Sequence, residues 1–294
     1  MHKQNPILLI FLLIQKMWKL NKPDINRAKK EDIKKLVQNT KLVSFGNIEN
    51  RLKALYKNYD TQDGQVNNQQ LGNIQQGEAQ IIYNAYNLTY KGKKLNYIRA
   101  ELCENVLSCP YCGINQAETL DHYMPKIKYK ALAVCRMNLI PMCPTCNRLK
   151  KDKTYNNFVH CYYQEFPRGI KFLKADVKMI KNVFTVSFDY DFTHFPKKYN
   201  SLINKLKTQQ TEVNLFSRMR KAAISFINDL CEECCVNNNE DLKKWLERRK
   251  CDSIKSRGLN DWQSAIWEGM LTFPDLDIKV IESYKKKRTY NVGA

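Results

Sequence analysis

The chain has 294 residues, and its 49 Lys and Arg outnumber its 29 Asp and Glu, which gives a net charge of +20. This length suits about two domains. The charge favours a polyanionic partner, with nucleic acid ahead of an anionic membrane surface, although a solvated basic surface is the alternative. With 43% hydrophobic and 11% aromatic residues, the composition excludes a disordered basic tail protein.

The N-terminus is predicted to be an apolar extension over residues 1–16. Its eight consecutive apolar residues, Ile7 to Ile14, would form a helix of about 12 Å, too short for a bilayer core of about 30 Å. Residues 15–19 offer no small-x-small cleavage site, which disfavours a signal peptide, and Met17 is an alternative start. We therefore expect a cytoplasmic protein without a membrane partner, whose cysteines are reduced or metal-bound.

Residues 17–107 are predicted to be a helical region. Apolar residues recur at helical spacing within 24–59 and again within 78–107. The segment near 61–77 is rich in Gln, Asn and Gly and has too few apolar residues to offset the entropy of ordering it. We expect a mobile loop there.

Residues 156–294 are predicted to form a β-hairpin followed by helices. The alternation from Val183 to Tyr190 is typical of a strand, and its expected partner lies near 171–173. Apolar residues from Leu215 to Leu230 and from Trp262 to Leu271 follow the helical period, which indicates core-facing helices.

Two C-x-x-C pairs carry the first recognisable chemistry. The pairs, Cys109-Pro-Tyr-Cys112 and Cys143-Pro-Thr-Cys146, are separated by 30 residues. Two such loops supply the four thiolates of a tetrahedral zinc site, so structural zinc is favoured over a redox pair or unrelated buried cysteines. Four other cysteines lack a clean second pair and are interpreted as thiols: Cys231, Cys234, Cys235 and Cys251.

The segment between and after the pairs contains a set of oxygen and nitrogen donors. Asp121 and His122 are adjacent, Asn138 precedes the second pair, and Asn147 follows it directly. A carboxylate and amide oxygens suit Mg²⁺, and the imidazole is a titratable base. This segment is therefore the candidate reactive site.

In order and spacing, these residues resemble the HNH endonucleases, whose core is a zinc-bound ββα-metal fold. The resemblance spans about 45 residues and rests on Cys109, Cys112, Asp121, His122, Pro125, Asn138, Leu139, Cys143, Cys146, Asn147 and Lys150. It implies an α+β protein in which an HNH core over 108–155, clamped by the four-cysteine zinc site, is embedded in a mostly helical chain.

The resemblance also assigns roles to the catalytic set His122, Asn138 and Asn147. His122 would be the general base that activates water, and Asn138 would fix the loop that orients the imidazole. Asp121 and Asn147 would bind the catalytic divalent metal, Mg or Mn, whereas zinc would be structural.

Three lysines beside this site are predicted to contact nucleic-acid phosphates: Lys126, Lys150 and Lys151. Many members of the family place glycine after the final lysine of the motif, whereas here Lys151 follows Lys150. The phosphate contact at this point therefore differs from the common pattern.

The predicted function is metal-dependent hydrolysis of phosphodiester bonds in nucleic acid, with DNA as the expected substrate. The motif is similar to that of HNH nucleases of bacterial Septu and retron-type anti-phage defence systems, which implies an antiviral effector nuclease with a possible partner ATPase. The alternative is a catalytically inert, zinc-stabilised nucleic-acid-binding subunit of a larger complex.

Overall fold

The protein is represented by a computed structural model that describes residues 17–104, 106–153 and 157–291, with side chains as far as residue 286. The predicted extension over 1–16 lies outside the described residues. Within them the fold is mostly helical, with two antiparallel sheets of two strands each. None of the described helices is both long enough and apolar enough to span a bilayer.

The chain divides into two compact units. The first contains residues 1–166 and 204–213, and the second contains 167–203 and 214–294. The first unit starts with six helices: α1 Ile25–Arg27, α2 Ile33–Gln38, α3 Ile48–Thr61, α4 Asn68–Gly72, α5 Gln76–Ala85 and α6 Asn96–Glu104. Helix α3 buries one apolar face, as its helical spacing predicts: Ile48, Leu52, Leu55, Tyr56 and Tyr59.

The segment expected to be a mobile loop contains helix α4. Asn67 caps this helix, because its side chain accepts from the Gln70 amide at 2.8 Å while the Gln70 side chain accepts from the Asn67 amide at 3.2 Å. Gly64, at φ +84°, packs so closely that a Cβ atom there would lie 2.3 Å from the His160 ring. The mobility of residues 61–77 stays a prediction. The capping of α4 and the close packing at Gly64 would both restrict that mobility.

Two short strands and a helix follow in the first unit. Strand β1 Thr119–His122 pairs antiparallel with β2 Leu139–Met142, so that His122 lies opposite Leu139 and Asp121 opposite Ile140. Helix α7 Pro144–Lys150 begins directly after β2, with proline in its first turn, where no amide hydrogen is needed. Asp121 and His122 are adjacent on β1, and α7 follows directly from the strand that pairs with β1. This connection brings the motif side chains into one region.

A buried ion-pair network connects the N-terminal helices to the segment between the strands. Arg136 binds both oxygens of Asp32, with Nε–Oδ2 at 2.6 Å and Nη2–Oδ1 at 2.8 Å, and its Nη1 reaches Glu101 at 3.1 Å. Arg136 and Asp32 are 3% and 1% exposed. A bidentate pair of this kind fixes geometry strongly, so it anchors the short helical turn Arg136–Asn138.

A second buried ion pair joins α3 to the start of α5. The carboxylate of Glu78 is fully buried, accepts from Arg51 Nη1 at 2.8 Å, and also accepts from the Gln75 amide at 2.8 Å. Burial opposes ionisation, but the hydrogen bonds from Arg51 and Gln75 outweigh it and lower the pKa of Glu78. The ionised form is therefore the one that stabilises the fold.

We expect Glu78→Gln to lower the free energy of unfolding by about 2 kcal/mol at pH 7, because charged hydrogen bonds are lost. The pKa of Glu78 is lower in the folded state than in the unfolded state, where it is about 4.3. The ionised carboxylate therefore stabilises the fold fully above about pH 4.3, and this stabilisation is lost as the pH falls through the folded-state pKa. The difference from wild type should therefore shrink as denaturant unfolding is repeated from pH 7 down to pH 4 and below.

The matched control is Glu49→Gln on the same helix α3. Glu49 pairs with Lys53 at 3.4 Å, and both side chains are about 40% exposed, at 40% and 38%. Exposed pairs of this type contribute less than about 1 kcal/mol. Equal destabilisation by the two substitutions would contradict the role given to Glu78.

The second unit is built on a β-hairpin. Strands β3 Leu173–Ile180 and β4 Val183–Tyr190 pair antiparallel across the two-residue turn Lys181-Asn182, whose φ angles of +50° and +63° suit a hairpin turn. Strand β4 has the predicted bounds. The predicted position of its partner near 171–173 is wrong in extent, because β3 runs over 173–180 and shares only Leu173 with that stretch.

The helices that follow are α8 Asn200–Glu212, α9 Leu215–Glu233, α10 Asn239–Arg257, α11 Trp262–Thr272 and α12 Ile278–Asn291. Residues 204–212 of α8 belong to the first unit. Within the second unit, α11 packs on the hairpin at Gly269, where a Cβ atom would lie 2.6 Å from the Ala175 carbonyl oxygen.

Candidate functional site

The four cysteines of the two C-x-x-C pairs converge. Their Sγ atoms all lie within 4.8 Å of one another, and those of Cys112 and Cys143 are 3.9 Å apart. With Zn–S bonds of about 2.3 Å, the sulfurs of a tetrahedral site lie about 3.8 Å apart. All four thiols are fully buried. The cluster predicted from the spacing is confirmed, and its donors and dimensions fit zinc.

Local backbone turns direct these sulfurs inward. In the first pair the amides of Cys112 and Gly113 both donate to the Cys109 carbonyl, at 3.3 and 2.7 Å. In the second pair Cys143 caps helix α7 by accepting from the Cys146 amide at 3.4 Å through its sulfur. Burial raises the pKa of Cys109, whereas hydrogen bonds from neighbouring thiols lower that of Cys143. Four buried thiolates this close together would repel one another, so a bound cation is needed for all four to ionise.

The other cysteines do not form a second site. Among the described residues, no other group of three or more Cys, His, Asp or Glu side chains is arranged to hold a metal ion. Cys231 and Cys234 are buried, while Cys235 and Cys251 are exposed. Their interpretation as thiols agrees with this arrangement.

A cleft of about 250 Å³ contains most of the predicted reactive residues. Its lining combines a carboxylate pair, an imidazole, an amide, two lysines and two tyrosine rings. The lining residues are Tyr86, Tyr90, Leu120, Asp121, His122, Pro125, Lys126, Asn147, Lys151 and Asp152. The cleft is thus polar and strongly charged, and five predicted site residues line it: Asp121, His122, Lys126, Asn147 and Lys151.

The protonation state of His122 follows from its hydrogen bond. Its Nε2 lies 3.0 Å from the carbonyl oxygen of Ala133, and because a carbonyl only accepts, Nε2 must be the protonated nitrogen. Burial lowers the pKa of His122 to about 3, and the nearby cations Lys126 and Lys150 act in the same direction. The imidazole is therefore neutral at pH 7, with its lone pair on Nδ1.

Asn138 holds the loop that carries this acceptor carbonyl. Its Oδ1 accepts from the Met124 amide at 2.8 Å and from the Tyr59 hydroxyl at 3.0 Å. Its Nδ2 donates to the carbonyls of Met124 and Leu132, at 3.1 and 3.3 Å. Asn138 is fully buried, and these bonds use its whole side chain. The geometry is that of a positioning residue, which bridges the two ends of the loop between His122 and Ala133.

Asn147 has an amide oxygen that the fold leaves available. The Thr119 hydroxyl donates its proton to the Met142 carbonyl at 2.8 Å, so its oxygen must accept from Asn147 Nδ2 at 3.0 Å. This chain of bonds fixes the orientation of the amide. Among the hydrogen bonds of the described residues, none uses Asn147 Oδ1, so this oxygen can serve as a metal ligand.

Asp121 is a buried carboxylate at 4% exposure. Burial raises its pKa, and the ammonium of Lys150 offsets this shift only in part. The Lys150 ammonium lies 2.9 Å from Oδ2, yet this oxygen receives no well-directed hydrogen bond from the described residues. A carboxylate oxygen with spare capacity and an available amide oxygen, both in one cleft, are donors of the kind that a hard divalent cation takes. Asp121 and Asn147 therefore fit the expected metal.

The position of Lys150 requires a correction to the sequence-based expectation. The side chain is fully buried, and its ammonium donates to the His122 carbonyl at 3.0 Å in addition to pairing with Asp121. A lysine in this position is not placed at a surface that contacts phosphates. The last turn of α7 directs it inward, whereas Lys126 and Lys151 do line the cleft.

Lys151 has an unusual backbone conformation. It ends helix α7 at φ +50° and ψ −140°, with its amide donating to the Asn147 carbonyl at 3.1 Å. Its side chain is exposed and lines the cleft. Positive φ is the region that favours glycine.

Two tyrosines outside the HNH motif complete the cleft. The Tyr86 ring packs edge-on against His122 at 4.5 Å, and its hydroxyl donates to the Leu120 carbonyl at 3.1 Å while accepting from Arg99 at 3.2 Å. Burial raises the pKa of Tyr86 to about 12, so the hydroxyl keeps its proton. Tyr90 lies beside it. Both residues precede the motif in the chain, and no local pattern indicates their approach.

Comparison with known proteins agrees with this geometry. The chain is 31% identical over 87 residues to protein ea31 of Escherichia phage lambda, and the match covers 29% of this chain and 29% of that protein. No solved structure matches the chain significantly. Residues 109–153 match the family model of the HNH endonucleases. The four cysteines and the motif residues of the cleft therefore lie in a segment with the sequence of an HNH endonuclease domain.

Proposed function

We propose that the protein is a metal-dependent HNH endonuclease that hydrolyses phosphodiester bonds in DNA, and that β1, β2 and α7 form its ββα-metal core. The observation that carries this proposal is the state of His122. A neutral imidazole with an unprotonated Nδ1 lines the same cleft as a carboxylate and an available amide oxygen. General base and metal ligands are the groups that phosphodiester hydrolysis needs.

In this mechanism His122 removes a proton from the attacking water through Nδ1. The Ala133 carbonyl holds the ring and stabilises the imidazolium that forms. A pKa near 3 makes a weak base, but a phosphate anion in the cleft would raise it towards the ordinary value, because opposite charges favour the protonated ring. Lys126 and Lys151 are placed to bind the phosphates next to the reacting one.

Asp121 and Asn147 would hold the divalent metal, Mg or Mn. When bound, such a cation acts as a Lewis acid that stabilises the charge on the phosphate and the leaving oxygen. Lys150 pairs with Asp121 Oδ2 itself at 2.9 Å, so it neutralises the carboxylate while no divalent cation is bound.

One observation favours the alternative function, an inert zinc-stabilised subunit that only binds nucleic acid. The Asp121 carboxylate already has a cationic partner, the Lys150 ammonium at 2.9 Å, which opposes binding of a second cation. An inert site would keep the four cysteines and the basic surface, and its affinity for DNA would depend steeply on salt.

A cleavage assay with the zinc-loaded full chain separates the two functions. We expect plasmid or single-stranded DNA to be cut when Mg²⁺ or Mn²⁺ is added and to stay intact without added divalent metal. RNA substrates in the same assay test the choice of DNA. Salt-dependent binding without cutting under either metal would support the inert subunit and refute the nuclease.

The biological setting is a separate proposal. The motif alone suggested an effector nuclease of a bacterial anti-phage system, with an ATPase partner. The similarity to a protein of Escherichia phage lambda does not support that setting. Both the defence role and the ATPase stay predictions, and co-purification from the native host tests the partner.

A further inference from the structure

A wall of tyrosine rings and cationic side chains forms one side of the cleft. We call it the tyrosine wall: Tyr86, Tyr90 and Lys126 line the cleft, and Tyr83 and Arg99 pack against these three residues. The Lys126 ammonium lies 4.9 Å from the Tyr83 ring centre and 4.7 Å from that of Tyr86. The Arg99 guanidinium lies 5.0 Å from the Tyr90 ring centre. The wall therefore combines aromatic faces with positive charge.

Tyr90 is the member of the tyrosine wall that is open to solvent. It is 48% exposed, although it lines the cleft and packs edge-on against Tyr86 at 5.8 Å. A single exposed aromatic residue is ordinary on a protein surface. Here, however, Arg99 covers part of the ring, the cleft lies beside it, and the neighbouring Lys91, Lys93 and Lys94 are all exposed.

The distance from Tyr90 to His122 matches a short stretch of one strand. The ring of Tyr86 packs against both, 5.8 Å from Tyr90 and 4.5 Å from His122, so the rings of Tyr90 and His122 are at most about 10 Å apart. Stacked nucleotides rise about 3.4 Å each along one strand. A base on Tyr90 would therefore lie within about three nucleotides of the phosphate at His122.

Stacking on an aromatic ring requires a base with a free face. In a duplex both faces of every internal base are covered by its neighbours, whereas a single strand or an unpaired segment can offer one. Aromatic rings with nearby Lys and Arg are the means by which proteins bind single strands without reading their sequence. Tyr90 and Arg99 supply the ring and the cation, and Lys126 and Lys151 supply charge for the phosphates.

We propose that Tyr90 stacks on an unpaired base of the strand that occupies the His122 cleft, so that the protein selects single-stranded or locally unpaired nucleic acid. This proposal rests on the proposed nuclease function, whose substrate class it narrows. The specificity then comes from residues before the HNH segment, since Tyr90 and Arg99 both precede residue 109.

The test measures binding separately from cleavage. Fluorescence anisotropy in the His122→Ala background compares a labelled 20-nucleotide single strand with the same sequence as a blunt duplex. Tyr90→Ala should weaken binding of the single strand by roughly 5- to 150-fold, the effect of losing one base–aromatic stack, and leave duplex binding unchanged. Tyr90→Phe keeps the ring and should bind as the parent does.

The outcomes separate this proposal from the nuclease function. If Tyr90→Ala binds the single strand as tightly as the parent, or loses single strand and duplex equally, the stacking proposal is wrong even where wild type cuts DNA. If wild type cuts nothing but the Tyr90→Ala effect is confined to single strands, the nuclease function fails and the selection of unpaired strands stands. Cleavage of a duplex with a central bubble, compared with the closed duplex, extends the same test to the active protein.

Discussion

Replacing His122 with alanine is expected to lower the rate of DNA cleavage by roughly 10²- to 10⁴-fold, the usual contribution of a general base. The reason is that His122 lines the cleft as a neutral imidazole whose unprotonated nitrogen is Nδ1, since the Ala133 carbonyl holds Nε2–H. Single-turnover cleavage of a labelled substrate with saturating Mg²⁺ measures the effect on the chemical step.

The control for this substitution is His194→Ala, which removes an exposed histidine from the second unit. It should cut at the wild-type rate. Since His122 is buried against Tyr86, the zinc content and the circular dichroism of His122→Ala must match wild type before its rate is interpreted. Wild-type cleavage by a folded, zinc-loaded His122→Ala would remove His122 from the mechanism.

Removing one of the four clustered cysteines is expected to unfold the first unit. Structural zinc sites contribute about 10–16 kcal/mol of binding free energy in small zinc domains, which is comparable with the whole stability of a typical domain, about 5–15 kcal/mol. Cys109→Ser, or treatment of wild type with a strong zinc chelator, should therefore abolish the cooperative thermal transition of this unit. Calorimetry together with zinc analysis by mass spectrometry measures both quantities.

Cys251→Ser is the matched control, because Cys251 is an exposed thiol outside the cluster. It should keep one zinc per chain and the wild-type transition. If Cys109→Ser also retained one zinc and unfolded as wild type does, the cluster would not be the structural metal site.

The motif in this chain could be recognised from sequence because its chemistry depends on local spacing. A C-x-x-C loop turns both sulfurs to one side wherever it occurs, and only the convergence of the two loops depends on the fold. Asp121 and His122 are adjacent on β1, and Asn147 follows Cys146 directly on α7, so each pair is held together within its own element. Strand β4 is also predictable from its local alternation, whereas most of β3 is not.

Other parts of the site could not be predicted, since they depend on packing between distant segments. Nothing near Tyr90 in the sequence indicates that it lines a cleft with His122, 32 residues later. The burial of Lys150 depends on which way the last turn of α7 faces. Arg136 pairs with Asp32, which lies 104 residues earlier in the chain. An ion pair of this kind produces no periodic pattern in the sequence.

The backbone at Lys151 is strained, although its side chain lines the cleft. A non-glycine residue in such a conformation carries strain of about 1–3 kcal/mol, which glycine would relieve. A Lys151→Gly substitution would remove this strain, but it would also remove an ammonium from the lining of the cleft. The chain would gain thermal stability and lose attraction for phosphates. Position 151 therefore links thermal stability to phosphate affinity, because no single residue there gives the best value of both.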